Sequence, residues 1–161
     1  IQLTLKTARA LGFPQNRLIF EFTENEEMSD PDHVVRIVDT YRRMGFGTAI
    51  DDFGAGHSGL NLLARLQTDL VKLDMELVRG IDSSQPRQVI VDGTVKMCKA
   101  LGIDVIAEGI ETAEERDTLR TIGVRYMQGF HFARPGFETL PEVRCDAPVA
   151  PPAPAVSLLD G

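Results

Sequence analysis

Five short apolar runs in this chain each end in a charged or amide side chain. The polar residues at these ends are Glu21, the adjacent pair Asp51 and Asp52, Lys72, Glu108 and Gln128. A strand buried in a parallel sheet needs an unbroken apolar run, so a charge at its end avoids desolvation only at the open rim of the sheet. All five polar ends lie on the carboxyl side of their runs, which is where α/β barrels carry their active sites. The pattern therefore predicts one cleft where these side chains converge.

The adjacent carboxylates Asp51 and Asp52 predict a metal site. Neighbouring strand residues point to opposite faces, so both can reach one cleft only if the strand bends or ends there. The glycine-rich segment 53–59 is expected to supply that bend. Two close carboxylates repel each other unless a cation lies between them, and hard oxygen ligands suit Mg²⁺ or Mn²⁺.

Glu21 and Glu108 extend this prediction to two metal ions. Two such ions about 3.5–4 Å apart would clamp the attacking and leaving oxygens of a phosphoryl displacement. Lys72 at the rim is expected to orient the nucleophilic water or to offset charge at phosphate. Any one of these carboxylates alone would more often be a helix cap or a solvated charge, but their shared position favours a common site. The three histidines lack metal-ligand spacing: His33, His57 and His131.

The segments between the apolar runs are predicted to form helices. One amphipathic stripe consists of Val34, Ile37, Val38 and Tyr41. Another helix is predicted from about Gln85 to Leu101, with apolar contacts from Val89, Ile90, Val95 and Met97. Thr112 with Glu115 fits a capping box. Four glycines are predicted to end helices just before a strand: Gly12, Gly45, Gly102 and Gly123. This alternation predicts an α/β fold with a parallel sheet and right-handed crossovers.

Length and composition bound the domain organisation. The chain has 161 residues, whereas a closed eight-stranded barrel takes about 250. It also begins at Ile1 within an apparent helix, so we interpret it as an amino-terminally truncated piece. We expect a domain over residues 1–140 and a disordered tail rich in proline and alanine over 141–161.

The net charge of -7 argues against binding a nucleic-acid polymer. A small phosphate ligand fits nevertheless, because metal ions supply positive charge locally. Cys98 and Cys145 are isolated and fit no metal or redox spacing. Free thiols of this kind indicate a reducing compartment and favour the cytoplasm. No apolar run approaches the length of a membrane span.

The motifs resemble those of the EAL domain family over about residues 1 to 140. They are Glu21-Phe22-Thr23-Glu24, Asp51-Asp52-Phe53-Gly54-Ala55-Gly56, Lys72-Leu73-Asp74, Ala107-Glu108-Gly109-Ile110-Glu111-Thr112 and Gln128-Gly129-Phe130. The resemblance implies a bacterial phosphodiesterase on a modified TIM barrel that hydrolyses cyclic di-GMP to linear pGpG with two Mg²⁺ or Mn²⁺ ions. It also implies inhibition by calcium, a homodimer formed through the loop after Asp52, and sensor or GGDEF domains in the parent chain.

The resemblance assigns metal ligands residue by residue. It implies that Glu21 binds one metal, that Asp51 bridges the two ions and that Asp52 binds the second. Glu108 is similar to the family's second-metal ligand or proton acceptor.

The resemblance also gives roles to residues around the metals. Lys72 corresponds to the residue that holds the catalytic water, and Gln128 to a polar contact with the metal-bound water shell. Glu24 corresponds to the carboxylate that anchors the loop over residues 51–59. His57 and Gly59 replace the commoner Tyr and Ser of the family, which alters loop packing but removes no ligand.

Two features of the family do not occur in this sequence. The Glu-Ala-Leu signature with its metal-binding glutamate is absent, and so is the Asn ligand that should precede Ile1. We therefore expect a partial barrel without its first strands, an incomplete first metal shell and a fragment inactive alone.

Two other functions are compatible with parts of the pattern. A non-catalytic cyclic di-GMP receptor is the principal alternative, although degenerate receptors tend to lose metal carboxylates that are present here. A barrel glycosidase would use Glu21 and Glu108 as acid and nucleophile, but it gives no role to the pair Asp51 and Asp52 together with Lys72.

Overall fold

Strands and helices alternate along the chain, as the sequence predicts. The computed structural model describes residues 2–23, 31–56 and 59–143. The strands are β1 (Ile19–Thr23), β2 (Gly47–Phe53), β3 (Leu70–Leu73), β4 (Asp104–Ala107) and β5 (Tyr126–Met127). The α-helices are α1 (Gln2–Ala10), α2 (Pro31–Arg43), α3 (Gly59–Arg65), α4 (Met75–Val78), α5 (Gln85–Leu101) and α6 (Ala113–Ile122). Short 3-10 turns lie at Gln15–Arg17 and Ile81–Ser83.

The five strands form one parallel sheet in sequential order, β1-β2-β3-β4-β5. Thr23 pairs with Asp51 at the end of β1, and Leu73 pairs with Ala107 at the end of β3. Because every strand runs in the same direction, all five carboxyl ends meet at one edge of the sheet. The architecture confirms the predicted α/β class and fits part of a barrel.

The sheet and its helices enclose one apolar core. The strands contribute Ile50, Val71 and Leu73, which are fully buried, and the helices contribute residues such as Val91 and Leu119. Such burial gives about 1.5–3 kcal/mol per large apolar side chain. The core therefore provides a rigid base for the polar edge.

The predicted helix ends are confirmed. Gly12, Gly45, Gly102 and Gly123 all adopt the left-handed conformation, with φ between 63° and 103°. The capping box is also present: Thr112 Oγ1 accepts the Glu115 N–H, and the Glu115 carboxylate accepts the Thr112 N–H.

The predicted buried face of α5 is wrong in part. Val89, Ile90 and Met97 are exposed by 64%, 53% and 39%. The buried residues of the helix are Val91, Thr94 and Cys98, while Val95 packs against the core as predicted. Apolar residues occur on several faces of α5, so periodicity alone does not select the face that meets the sheet.

Some predictions fall outside the described residues. These are Glu24, His57 and Cys145, together with the segment 144–161 of the predicted tail. Cys98 is a free, buried thiol, and burial raises its pKa to about 11. Across the described ranges, no helix combines the length and the apolarity that crossing a membrane requires.

Candidate active site

The structure gathers the predicted polar residues of the described part of the chain at the carboxyl edge of the sheet. Glu21 lies on β1, Asp51 and Asp52 on β2, and Lys72 on β3. The two remaining members, Glu108 and Gln128, each follow the last residue of a strand, β4 and β5.

Lys72 is the centre of the cluster. Its Nζ lies 2.9 Å from Asp51 Oδ1, 3.1 Å from Glu21 Oε1 and 3.1 Å from Glu108 Oε1. The Lys72 side chain is only 13% exposed, whereas Glu21 is 45% exposed. One ammonium group on β3 therefore joins carboxylates from β1, from β2 and from the end of β4.

Asp52 itself bends the end of β2. Its φ is 54°, in the left-handed region, and the pairing of β2 with β3 shifts register between Ile50 and Phe53. The Asp52 N–H donates to Asp51 Oδ1 at 3.0 Å. The bend thus begins before the glycine-rich segment that was expected to supply it. A non-glycine residue in this conformation costs about 1–3 kcal/mol and is common at functional sites.

Burial and charge perturb three ionisable groups of the cluster. Burial raises the pKa of Glu108. The hydrogen bond and charge of Lys72 oppose this rise, and the charges of Asp51 and Glu21 add to it. Burial also raises the pKa of Asp52, with the Asp51 charge as the next cause. Burial alone would lower the pKa of Lys72, but its hydrogen bonds to the three carboxylates outweigh that effect and raise it. Lys72 therefore stays charged, while Glu108 and Asp52 retain protons more readily than free carboxyl groups.

Three of the carboxylates meet the spacing that a divalent ion needs. Asp51, Asp52 and Glu108 each offer an oxygen, and these oxygens lie within 4.8 Å of one another. Oxygens on opposite sides of an Mg²⁺ ion, each at 2.0–2.1 Å, are about 4.2 Å apart, which is close to the spacing of this donor set. Glu21 is outside this group and meets it through Lys72, so its role as a metal ligand remains a prediction.

Gln128 orients Glu108 from the neighbouring strand end. Its side-chain amide donates to Glu108 Oε1. The backbone supports this contact, because the Gln128 N–H donates to Ala107 O at 2.9 Å and the Ile110 N–H donates to Gln128 O at 3.2 Å. Gly129 permits the close approach, since a Cβ there would lie 2.1 Å from Ile110 O.

The short helix α4, which the sequence pattern did not predict, packs between the two loops that carry the carboxylates. A Cβ on Gly54 would lie 2.2 Å from Leu77 Cδ1, and a Cβ on Gly109 would lie 2.5 Å from Met75 Cβ. Asp74 caps α4 by accepting the backbone N–H two residues on at 2.7 Å. That cap is the one local signal by which the sequence marks this helix.

A family model described as the EAL domain matches residues 1–135 of the chain. Among curated relatives, the blue light- and temperature-regulated antirepressor BluF of Escherichia coli is 35% identical over 143 residues, which is 89% of this chain and 36% of BluF. The cyclic di-GMP phosphodiesterase RocR of Pseudomonas aeruginosa is 37% identical over 123 residues, which is 76% of this chain and 31% of RocR. The chain thus spans about a third of the length of these relatives.

Solved structures give the same match. A standalone EAL protein from Vibrio cholerae, in its c-di-GMP bound form, has a TM-score of 0.86 and 49% identity, and the match covers 89% of this chain and 61% of that one. Klebsiella pneumoniae BlrP1 in a calcium and cy-diGMP complex has a TM-score of 0.83 and 42% identity, over 88% of this chain and 36% of BlrP1. BlrP1 has also been solved in a manganese and cy-diGMP complex, with a TM-score of 0.79 and 43% identity, over 83% of this chain and 34% of BlrP1.

Proposed function

This chain belongs to the EAL domain family, and we propose that it forms part of a phosphodiesterase that hydrolyses cyclic di-GMP to linear pGpG with Mg²⁺ or Mn²⁺. The observation that carries the proposal is the Lys72 ammonium, held within 3.1 Å of carboxylates from three strands. A glycosidase needs two carboxyl groups and gives this lysine no role. The phosphodiesterase name of RocR and the cyclic di-GMP in the V. cholerae and BlrP1 structures support the substrate.

The carboxylates present fit the metal that this reaction needs. Asp51, Asp52 and Glu108 would hold one ion within their common spacing, and Glu21 with Asp51 would supply ligands for another. Ions bound there would lower the pKa of a water molecule and offset charge on the scissile phosphate.

The protein residues would then orient the water and take up its proton. Lys72 remains charged because its pKa is raised, and its Nζ would donate a hydrogen bond to the attacking water in exchange for one of its three carboxylate contacts. Glu108, whose pKa is raised by burial, is suited to accept the water proton on a carboxylate oxygen. Gln128 donates to the same carboxylate and so limits its rotation.

One observation favours a second candidate, a non-catalytic receptor for cyclic di-GMP. BluF, a relative of high coverage, bears the name of an antirepressor and not of a phosphodiesterase. In that case the same carboxylates and Lys72 would bind the nucleotide without turnover.

The proposal also covers the partners and the location of the protein. We expect a homodimer formed through the loop after Asp52, sensor or GGDEF domains in the parent chain, and a cytoplasmic location. Gly54 in that loop packs on Leu77 of α4, so a partner bound to the loop would press on a helix next to the carboxylates. Sedimentation of the protein over a range of concentrations measures whether it forms this dimer.

Product analysis tests the function. Cyclic di-GMP is incubated with Mn²⁺, Mg²⁺ or EDTA, and pGpG is quantified by chromatography, for the 161-residue chain and for a form extended at its amino end. We expect pGpG from the extended form with either metal and none with EDTA, and no product from the 161-residue chain. Glu108→Gln should lower the rate by about 100-fold or more, whereas the exposed Glu114→Gln should not change it.

Two outcomes would change the conclusion. Nucleotide binding without pGpG at any metal concentration would establish the receptor. Hydrolysis that persists in EDTA would refute the metal-dependent mechanism.

A further inference from the structure

A buried carboxylate lies outside the catalytic cluster, at Glu115 in the first turn of α6. Glu115 is only 5% exposed. Three backbone N–H groups donate to it: Gly80 to Oε1 at 2.8 Å, and Glu111 and Thr112 to Oε2 at 2.9 and 3.1 Å. Burial alone would raise the pKa of Glu115, but these three hydrogen bonds outweigh it and lower the pKa.

The helix cap accounts for one of these three bonds. A capping box needs the side chain of the third helical residue to accept only the N–H of the capping residue, here Thr112. The bond from Gly80 comes from 35 residues away and satisfies no part of the helix end. A second role would explain why both oxygens of the Glu115 carboxylate accept backbone N–H groups.

The two oxygens join the segments that carry the reacting groups. Gly80 follows α4, the helix that comes directly after Lys72 on β3, and Glu111 lies three residues after Glu108. The same two segments touch nearer the site, where Gly109 packs on Met75. Glu115 therefore links Gly80, which ends the segment that follows Lys72, to Glu111 in the segment that follows Glu108.

We propose that Glu115 is a positioning residue for the phosphodiesterase reaction, which holds the Glu108 loop against the segment after Lys72. The inference rests on the proposed function of the cluster. The Glu115 carboxylate accepts hydrogen bonds from the backbone of Gly80, Glu111 and Thr112, so it acts by setting where the Glu108 carboxylate stands relative to the Lys72 ammonium.

Two substitutions separate this role from helix capping. Glu115→Gln keeps a capping box, because Gln also serves at that position, but it cannot offer acceptors to both Gly80 and Glu111. Thr112→Ala removes the side chain that accepts the Glu115 N–H and leaves the carboxylate bonds in place. Glu114→Gln is the matched charge control, since it lies in the same turn and is exposed.

The assays are run on the full-length protein. We expect Glu115→Gln to lower kcat and Mn²⁺ affinity, measured by electron paramagnetic resonance titration, by about 10-fold or more, in the range found for residues that orient metal ligands. KM for cyclic di-GMP should change by less than about twofold, because uniform substrate binding is not affected. Thr112→Ala should lower Tm by about 2–4 °C without changing kcat, and Glu114→Gln should change neither.

Each result distinguishes the positioning role of Glu115 from helix capping alone. Equal kcat and Mn²⁺ affinity for Glu115→Gln and the wild type would overturn the positioning role. Unmodified protein that binds Mn²⁺ but forms no pGpG would refute the proposed function alone, and the Mn²⁺ titration of Glu115→Gln would still test the positioning role. If Glu115→Gln does not fold, hydrogen exchange of the Gly80 and Glu111 amides in the unmodified protein replaces it. Slow exchange of these two amides supports their hydrogen bonds to Glu115. Exchange at the rate of an open loop refutes them.

Discussion

Replacing Lys72 with methionine tests whether one ammonium group serves as the shared counter-charge of three carboxylates. Lys72→Met keeps most of the apolar stem and removes contacts of 2.9 to 3.1 Å to Asp51, Glu21 and Glu108. Removing one partner of a buried ion pair costs about 3–5 kcal/mol. We take about 3 kcal/mol, the low end, because the Glu21 partner is 45% exposed and water screens that contact.

The loss of folding stability should appear as a lower Tm when the protein is measured in EDTA. For a domain of this size, 1 kcal/mol shifts Tm by about 2–4 °C, so we expect a decrease of about 6–12 °C. The pKa of Lys72 is raised in the folded state. Its stabilisation is therefore fully present below the ordinary lysine pKa of about 10.4 and is lost only as the pH rises through the folded value. A measurement at pH 7.5 consequently captures the whole effect.

Lys96→Met is the matched control. Lys96 pairs with Asp92 at 2.7 Å on the surface of α5, with its side chain 73% exposed. Such helical pairs contribute about 0.3–0.5 kcal/mol, so the control should shift Tm by no more than about 2 °C.

Added Mn²⁺ should restore the Lys72→Met protein by replacing the missing positive charge. An ion at 100 times its dissociation constant adds about 2.7 kcal/mol, so most of the lost stability should return. The gain should exceed that of the wild type, whose carboxylates already have a counter-charge. If Lys72→Met is as stable in EDTA as Lys96→Met, or if Mn²⁺ stabilises it no more than the wild type, the account of the cluster is refuted.

Further predictions concern the metal site and its loops. Because the pKa values of Asp52 and Glu108 are raised, protons should compete with Mn²⁺ at a higher pH than for ordinary carboxylates. Calorimetric affinity should therefore fall on acidification before the ordinary pKa of about 4 is reached, and a pH-independent affinity from pH 7 to 4 would contradict this. Asp51→Asn should weaken Mn²⁺ binding and abolish turnover of the extended form, and an active variant would overturn its assignment as a ligand. Gly129→Ala should destabilise the protein, because its Cβ would lie 2.1 Å from a backbone oxygen, whereas Gly93→Ala in open space on α5 should stabilise it by about 0.5–1 kcal/mol. Denaturant midpoints that move in the same direction for both would contradict the packing.

Local patterns in the sequence determined the alternation of strands with most of the helices, and the residue types of the site. The apolar runs predict the five strands, and the glycines at helix ends predict the turns, because both depend on the conformation of a few consecutive residues. The set of Glu21, Asp51, Asp52, Lys72 and Glu108 follows from a rule of parallel sheets, that carboxyl ends share one edge. Motif resemblance then indicated the family, which the family model confirms over residues 1–135.

Other features depend on contacts between residues distant in the chain, and only the tertiary structure decided them. Lys72 becomes the shared counter-charge of three carboxylates because the register of the strands β1 to β4 brings them within 3.1 Å. Asp52 bends its strand through a left-handed φ that no local residue type requires. The face that α5 buries was set by packing on the sheet, since its apolar residues point in several directions. Glu115 carries a capping signal in the sequence, but its bond to Gly80 exists only because the first turn of α6 and a residue 35 positions earlier in the chain meet in the fold. Periodicity records which residues are apolar, whereas register and loop packing determine which polar groups meet.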